Sequence, residues 1–109
     1  MAKKRKQIRL DDAILDALGF PPPVYEYKFA KEAIGRFWRF DVAWPDEKLY
    51  VEFEGGIWVK GRHVRPEGYM GDMIKYSWAA VLGWRGIRVP THKWQEVYQW
   101  LDKVRQYGD

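Results

Sequence analysis

The sequence predicts a single α/β domain, in which a mixed sheet of the α+β type is flanked by helices. Its 109 residues suit one compact domain. Hydrophobic residues make up 47% of the chain and aromatic residues 17%, which is enough to build a core. The apolar patterns follow the order α-β-β-β-α-β-α, so a three-stranded meander precedes a crossover helix and a fourth strand. We expect a basic arm over 1–9 and the domain over 10–109.

The chain opens on a basic arm that carries Lys3, Lys4, Arg5 and Lys6. Such an arm suits either phosphate contacts or a solvated end. The first helix is predicted over 10–18, because Leu10, Ile14 and Leu18 recur at helical spacing and a glycine and three prolines follow.

Three strands follow, and a turn joins the last two into a hairpin. Each strand shows alternation typical of β structure, and the turn is rich in proline and charged residues. The strands are predicted over 24–29, 36–44 and 49–54, with the turn over 45–48.

The second half of the chain begins with a loop and continues as helix, strand and helix. Apolar residues at helical spacing predict a helix over 69–82, which Gly83 ends. A short apolar run predicts a strand over 86–89, and Thr91 is the predicted cap of a last helix over 92–107.

Composition excludes several classes of site. There is no cysteine, so there is no disulfide and no thiolate metal site, and two histidines are too few for a histidine-only zinc site. No apolar run is long enough to span a bilayer. We therefore expect a cytoplasmic protein with no membrane contact. The net charge of +4 is compatible with nucleic acid as a partner and equally with ordinary solubility.

The predicted hairpin places three acids close together. Folding it about the turn sets Asp41 opposite Glu52 and Arg39 opposite Glu54. The acids then share one face, while the other is apolar and carries Phe40, Val42, Trp44, Leu49, Val51 and Phe53. Clustered carboxylates repel one another unless Arg39 or a divalent cation neutralises them, and Mg²⁺ binds such groups. The alternative is the solvated face of a half-buried sheet.

The motif residues resemble a known family. The string "WRFDVAWPDEKLYVEFEGGIW…GRH…GY…D…KY…A…LGWRGIRV" resembles small bacterial and phage endonuclease domains related to the very-short-patch-repair endonucleases, in the PD-(D/E)XK nuclease superfamily. The resemblance covers about residues 24–90. It implies a restriction-endonuclease-like α-β-β-β-α-β core with a C-terminal helix. The zinc site of the repair enzymes does not carry over, because this chain has no cysteine.

The resemblance also implies roles for individual residues. Asp41 and Glu52 are the expected metal ligands. Glu54 stands where the superfamily usually has lysine, so it is a third ligand or the general base. Lys75, on the following helix, is the candidate for the displaced lysine, although it also suits a surface pair with an acid on that helix. Glu26 resembles an acid that these domains carry before the motif.

The loop after the motif adds candidate contacts to nucleic acid. Its basic and aromatic residues, together with Arg39, suit phosphate contacts and base stacking, and His63 suits proton transfer. The alternatives are a plain surface loop and, for its tryptophan, packing on the core. The loop candidates are Trp58, Lys60, Arg62, His63 and Arg65.

The sequence thus favours a Mg²⁺-dependent endodeoxyribonuclease, with Mn²⁺ as a substitute, that acts on DNA in a bacterial cell or a phage-infected host. Preference for branched, nicked or single-stranded DNA stays open, and a homodimer is compatible with the sequence. Two other classes also stay open. One is a nucleic-acid-binding module with an inactive nuclease-like site. The other is an interaction domain whose acids hold a structural cation or bind a basic partner.

Overall fold

The computed structural model describes residues 7–55 and 66–108, and describes side chains from residue 70 onward in the second range. The helices are α1 (Asp12–Ala17), α2 (Lys31–Ile34), α3 (Pro66–Val81) and α4 (Val97–Tyr107). The strands are β1 (Val24–Lys28), β2 (Arg39–Trp44), β3 (Leu49–Glu54) and β4 (Arg85–Pro90). Two 3₁₀ segments complete the described elements, at Pro45–Glu47 and Thr91–Glu96.

The strands form one four-stranded sheet in the order β1-β2-β3-β4. Strands β1, β2 and β3 are antiparallel neighbours, and β4 runs parallel to β3 because α3 crosses over between them. The predicted α/β class with a mixed sheet and a C-terminal helix is therefore confirmed. The short helix α2 was not predicted. It ends at Gly35, whose φ of 67° suits glycine.

The hairpin register agrees with the prediction in the rows next to the turn, and the ladder ends at Val42–Val51, before the predicted pairs of Asp41 with Glu52 and of Arg39 with Glu54. Trp44 pairs with Leu49, Ala43 with Tyr50 and Val42 with Val51. The turn closes with a hydrogen bond from the Lys48 amide to the Pro45 carbonyl. Local turn chemistry therefore sets which residues of β2 and β3 face each other.

Both faces of the sheet are covered, which rules out a fully solvated acid face. One core lies against α1 and α4, and consists of Leu10, Leu15, Phe20, Val42, Trp44, Leu49, Val51, Phe53, Val89, Val97 and Leu101. A second core lies against α3, and consists of Phe29, Ala30, Phe40, Ala43, Tyr50 and Ala79. The acids of β2 and β3 therefore lie beside a packed interface between sheet and helix.

The prediction that Phe40 shares a face with Val42 is wrong. Phe40 belongs to the second core and Val42 to the first, although they are two residues apart on one strand. On the neighbouring strand, Tyr25 and Tyr27 divide between the two cores in the same way. Between these two tyrosines lies Glu26, whose φ of 53° interrupts regular strand geometry. The alternation of side chains therefore breaks at one row of the sheet.

A row of stacked rings runs through the second core. Phe40 stacks on Phe29 with centroids 4.0 Å apart and on Tyr50 with centroids 3.9 Å apart. Tyr76 continues the row at 6.1 Å from Tyr50. Gly86 makes room for the row, because a Cβ atom at this position would lie 1.9 Å from the Tyr50 ring. The row carries the packing of β2 and β3 across to α3.

The C-terminal segment differs from the prediction in its start. Helix α4 begins at Val97, after the 3₁₀ segment, so Thr91 does not cap it. Arg105 of α4 donates to both carboxylate oxygens of Glu47 and lies over the Phe20 ring at 3.6 Å. Among residues 7–55 and 66–108, every helix is too short or too polar to cross a membrane.

Candidate active site

An open pocket of about 900 Å³ lies between α3 and the ends of β2, β3 and β4. Its apolar wall includes Phe53 and Met73. Its ionisable lining consists of Arg39, Asp41, Glu52, Glu54, Asp72, Lys75, Tyr76 and Arg88. Four of the predicted site residues on strands and one on the helix therefore reach the same pocket.

Asp41 and Glu52 are fixed side by side by the backbone of the opposite strand. The Asp41 amide donates to Glu52 Oε2 at 3.0 Å, and the Phe53 amide donates to Asp41 Oδ2 at 2.7 Å. These bonds follow directly after the backbone pair Val42–Val51. Each carboxylate thus accepts a bond from the facing strand and is held in a defined orientation.

Glu52 is buried, with 6% of its surface exposed, and α3 supplies its countercharge. Lys75 Nζ lies 2.5 Å from Glu52 Oε1 and also donates to the Arg39 carbonyl at 2.7 Å. Arg39 was predicted as a countercharge for the acids, yet its contact here is made by its backbone. The buried acid is therefore paired with an ammonium group from the helix.

Tyr76 adds a second donor from α3. Its hydroxyl donates to Glu52 Oε1 at 2.7 Å. Burial, together with the hydrogen bond to Glu52 and the negative charge of that carboxylate, raises the pKa of Tyr76 far above its ordinary value. The hydroxyl therefore stays protonated near neutral pH and keeps donating to Glu52.

Glu54 takes part in a separate ion pair. Arg88 of β4 donates through Nε to Glu54 Oε1 at 2.5 Å, and its guanidinium lies 4.1 Å from the Tyr76 ring centroid. Burial opposes the charge of Arg88, but the bond to Glu54 and its negative charge outweigh burial and raise the pKa of Arg88. The two acids of β3 are thus neutralised by different cations from different elements.

The expected cluster of three acids does not form within the described residues. In that part of the chain, no group of three or more histidine or acidic side chains is close enough to hold a metal ion together. What remains is the pair of Asp41 and Glu52. Mg²⁺ commonly takes one or two protein carboxylates and completes its shell with water and substrate phosphate. Glu52 Oε2 has lone-pair capacity beyond its bond from Asp41. The pair therefore fits a magnesium ion that takes two carboxylates from the protein and its other ligands from water and substrate.

Glu26, the predicted acid on β1, is not among the residues that line the pocket. It is exposed on β1, which lies at the sheet edge beyond β2. The loop candidates Trp58, Lys60, Arg62, His63 and Arg65 lie outside the described residues, as does the basic arm.

Tyr76 and Arg88 were not predicted as site residues. The Tyr76 ring packs against the second core, while its hydroxyl reaches Glu52. Arg88 pairs with Glu52 in the parallel register of β3 and β4, which depends on the path of the crossover. In the sequence, the only indication that Tyr76 lies near the site was its position next to Lys75 on the predicted helix.

Comparison with known proteins leaves the activity open. Two uncharacterized proteins of Mycobacterium tuberculosis, one from each of two strains, are each 29% identical to this chain over 98 residues. The match covers 83% of this chain and 34% of each relative, so the chain spans about a third of the length of these relatives. No family model matches the chain, and no solved structure matches it significantly.

Proposed function

We propose that this protein is a metal-dependent endodeoxyribonuclease of the PD-(D/E)XK type, which hydrolyses DNA phosphodiester bonds with Mg²⁺ or Mn²⁺. One observation carries the proposal. Asp41 and Glu52 lie side by side across two strands in an open pocket, and Lys75 lies within 2.5 Å of Glu52. Two acids and a lysine that line one open pocket are groups that such hydrolysis can use.

Asp41 and Glu52 are the residues that would hold the cation. When bound, a divalent cation polarises the phosphodiester and offsets the negative charge that builds up as its P–O bond breaks. The protein contributes orientation, because both carboxylates are fixed by amides of the facing strand. Their geometry is therefore set before substrate arrives.

Lys75 supplies a fixed positive charge at the pocket. Its side chain is only 15% exposed and is held by Glu52 and the Arg39 carbonyl. An ammonium group in this position can stabilise negative charge on a phosphate oxygen. Tyr76 keeps Glu52 oriented by donating to the same oxygen that accepts from Lys75.

Glu54 and Arg88 have roles of their own in this proposal. While Arg88 holds Glu54, the carboxylate is neutralised and Arg88 presents a cation to the pocket for a DNA phosphate. Transfer of Arg88 to a phosphate would release Glu54 to act as base or third ligand. Arg39 and the loop residues would add sequence-independent phosphate contacts, which makes salt-sensitive binding expected. We place the activity in the cytoplasm of a bacterial cell or phage-infected host.

The decisive experiment is a cleavage assay with purified protein on labelled single-stranded, duplex, nicked, mismatched and four-way-junction DNA, and on RNA. Each substrate is incubated with Mg²⁺, Mn²⁺ or chelator. Asp41→Asn should lower the cleavage rate about 100-fold or more, since a ligand for the cation is lost. Asp46→Asn, an exposed acid of the same type in the hairpin turn, is the matched control and should cut normally.

A second pair of variants tests the lysine. Lys75→Met should slow cleavage strongly, while Lys103→Met, at an exposed position of α4, should not. Wild-type cleavage by Asp41→Asn would refute the site. Metal-independent binding of DNA without cleavage would favour the inactive binding module. A metal-dependent rise in thermal stability without cleavage or DNA binding would favour a structural cation in an interaction domain.

A further inference from the structure

Helix α3 carries its charged and apolar residues on unexpected sides. Asp72 and Lys75 line the pocket beside the sheet. The side turned to solvent carries Met70, Ile74 and Val81, which are 58%, 50% and 73% exposed. An ordinary surface helix has the opposite arrangement, with its apolar stripe on the core and its charges in water.

The exposed apolar residues of α3 form one continuous stripe. Met70, Ile74 and Trp78 follow one another at four-residue spacing, and Val81 continues the row one turn beyond Trp78 and two turns beyond Ile74. Met73 borders the stripe, with 50% of its surface exposed. A single exposed apolar side chain needs no explanation, but a contiguous row of five marks a surface that another molecule covers.

The residues between these side chains are small and neutral. Ser77 and Ala80 are both exposed, and they lie between this outward face and the pocket, which they also line. Within the part of α3 whose side chains are described, the outward side thus has no charge. The described charged residues of α3, Asp72 and Lys75, both lie on the pocket side of the helix instead.

We propose that this outward face of α3, formed by Met70, Met73, Ile74, Trp78 and Val81, binds the same face of a second copy of the chain. The stripe is self-complementary when two α3 helices cross antiparallel at its middle. In that arrangement Met70 meets Val81 of the second copy and Ile74 meets Ser77. A two-fold contact requires such reciprocal pairs.

Met73 and Trp78 border this row on its two opposite flanks. A flexible methionine at one border readily adapts its shape to a neighbouring surface. Charge favours this face as well. Each copy has a net charge of +4, so two copies repel on most surfaces, but they can approach here without placing like charges opposite each other.

The available area is sufficient for a specific contact of modest affinity. Five side chains that each cover on the order of 100 Å² give roughly 500 Å² per copy and about 1,000 Å² in total. That total lies at the lower limit for specific interfaces, so we expect a dimer with a dissociation constant of about 1–100 μM. Met73 also lines the pocket, which sets the interface directly beside the site. The inference does not depend on the proposed nuclease activity.

Analytical ultracentrifugation of the full chain over a range of concentrations tests the proposal. The wild type should shift from monomer to dimer as concentration rises. Ile74→Glu should raise the dimer dissociation constant about 30-fold or more, because it buries a charge at the centre of the contact. Ile14→Glu is the matched control, since Ile14 is 42% exposed on α1, and it should leave the dimer intact. Circular dichroism melts check that both variants fold.

Cross-linking gives an independent measurement. The chain has no cysteine, so Ser77→Cys introduces one thiol near the middle of the stripe. Under mild oxidation it should form covalent dimers faster than Asp102→Cys, which places a thiol at an exposed position of α4. The proposal is overturned if the wild type stays monomeric throughout, if Ile74→Glu leaves the dimer unchanged, or if the two thiols cross-link equally fast.

Discussion

Replacing Glu52 by alanine should destabilise the fold strongly. Removing one acid from a cluster of unpaired acids would relieve repulsion and raise stability, which is the expectation from the sequence pattern. The structure predicts the opposite change, a loss in the free energy of unfolding. Glu52 is buried and its carboxylate accepts from the Asp41 amide, from Lys75 and from Tyr76.

The magnitude follows from the groups that Glu52→Ala leaves behind. Lys75 loses its carboxylate partner while its side chain stays 15% exposed, and breaking a buried ion pair in this way costs about 3–5 kcal/mol. The Tyr76 hydroxyl loses its acceptor as well, at about 1 kcal/mol, but the two losses overlap because they concern one carboxylate. Lys75 keeps its hydrogen bond to the Arg39 carbonyl, which limits the total loss of stability. We expect a loss of about 3–4 kcal/mol in the free energy of unfolding.

Urea unfolding followed by tryptophan fluorescence measures this change. A domain of this size has a total stability of about 5–15 kcal/mol, so the variant should fold but melt about 10–25 °C lower. Glu52→Gln, which keeps the shape and loses the charge, should lie between wild type and Glu52→Ala. Glu32→Ala, at an exposed acid of α2, is the control and should stay within about 0.5 kcal/mol of wild type. A Glu52→Ala protein as stable as wild type would refute the ion-pair reasoning.

Three further outcomes are expected. Gly86→Ala should lower the free energy of unfolding by about 1–3 kcal/mol, because its Cβ would overlap the Tyr50 ring, and an unchanged urea midpoint would contradict this. The hydrogen bond from Arg105 lowers the pKa of Glu47 below 4.5, so the pair stabilises the fold above that pH and loses its effect as the pH falls through the lowered value. The stability difference between wild type and Arg105→Met should therefore shrink in acid, and a constant difference would contradict it. Mg²⁺ should raise the melting temperature of wild type but not of Asp41→Asn, and equal shifts would argue against that ligand.

Local patterns predicted the parts of the fold that local interactions determine. The register of β2 and β3 follows from the turn at Pro45–Glu47 and from alternation next to it, so it could be derived from the sequence. The side of the sheet on which Phe40 packs could not be derived in this way. Its exchange of faces coincides with the irregular backbone at Glu26 of the neighbouring strand, which no residue preference indicates.

In the candidate site, too, some contacts could be predicted from the sequence and others could not. The neighbouring positions of Asp41 and Glu52 follow from the hairpin, whereas the pairing of Glu54 with Arg88 depends on the parallel register of β4 beside β3. That register joins residues 36 positions apart in the chain, such as Glu52 and Arg88, so no local pattern indicates it. The position of Lys75 near Glu52 was expected only from the family resemblance, as a candidate for the displaced lysine, because spacing along the helix alone would have suggested a surface pair.

The row of stacked rings gives this protein an intrinsic optical signal. Aromatic side chains produce near-ultraviolet circular dichroism only when they are held in fixed, asymmetric surroundings. Phe29, Phe40 and Tyr50 are held nearly parallel, with interplanar angles of 5° and 9°, and Tyr76 connects them to the carboxylate of Glu52. Tyr50 and Tyr76 therefore contribute to a near-ultraviolet signal that should weaken, without any label, when the packing beside the pocket loosens.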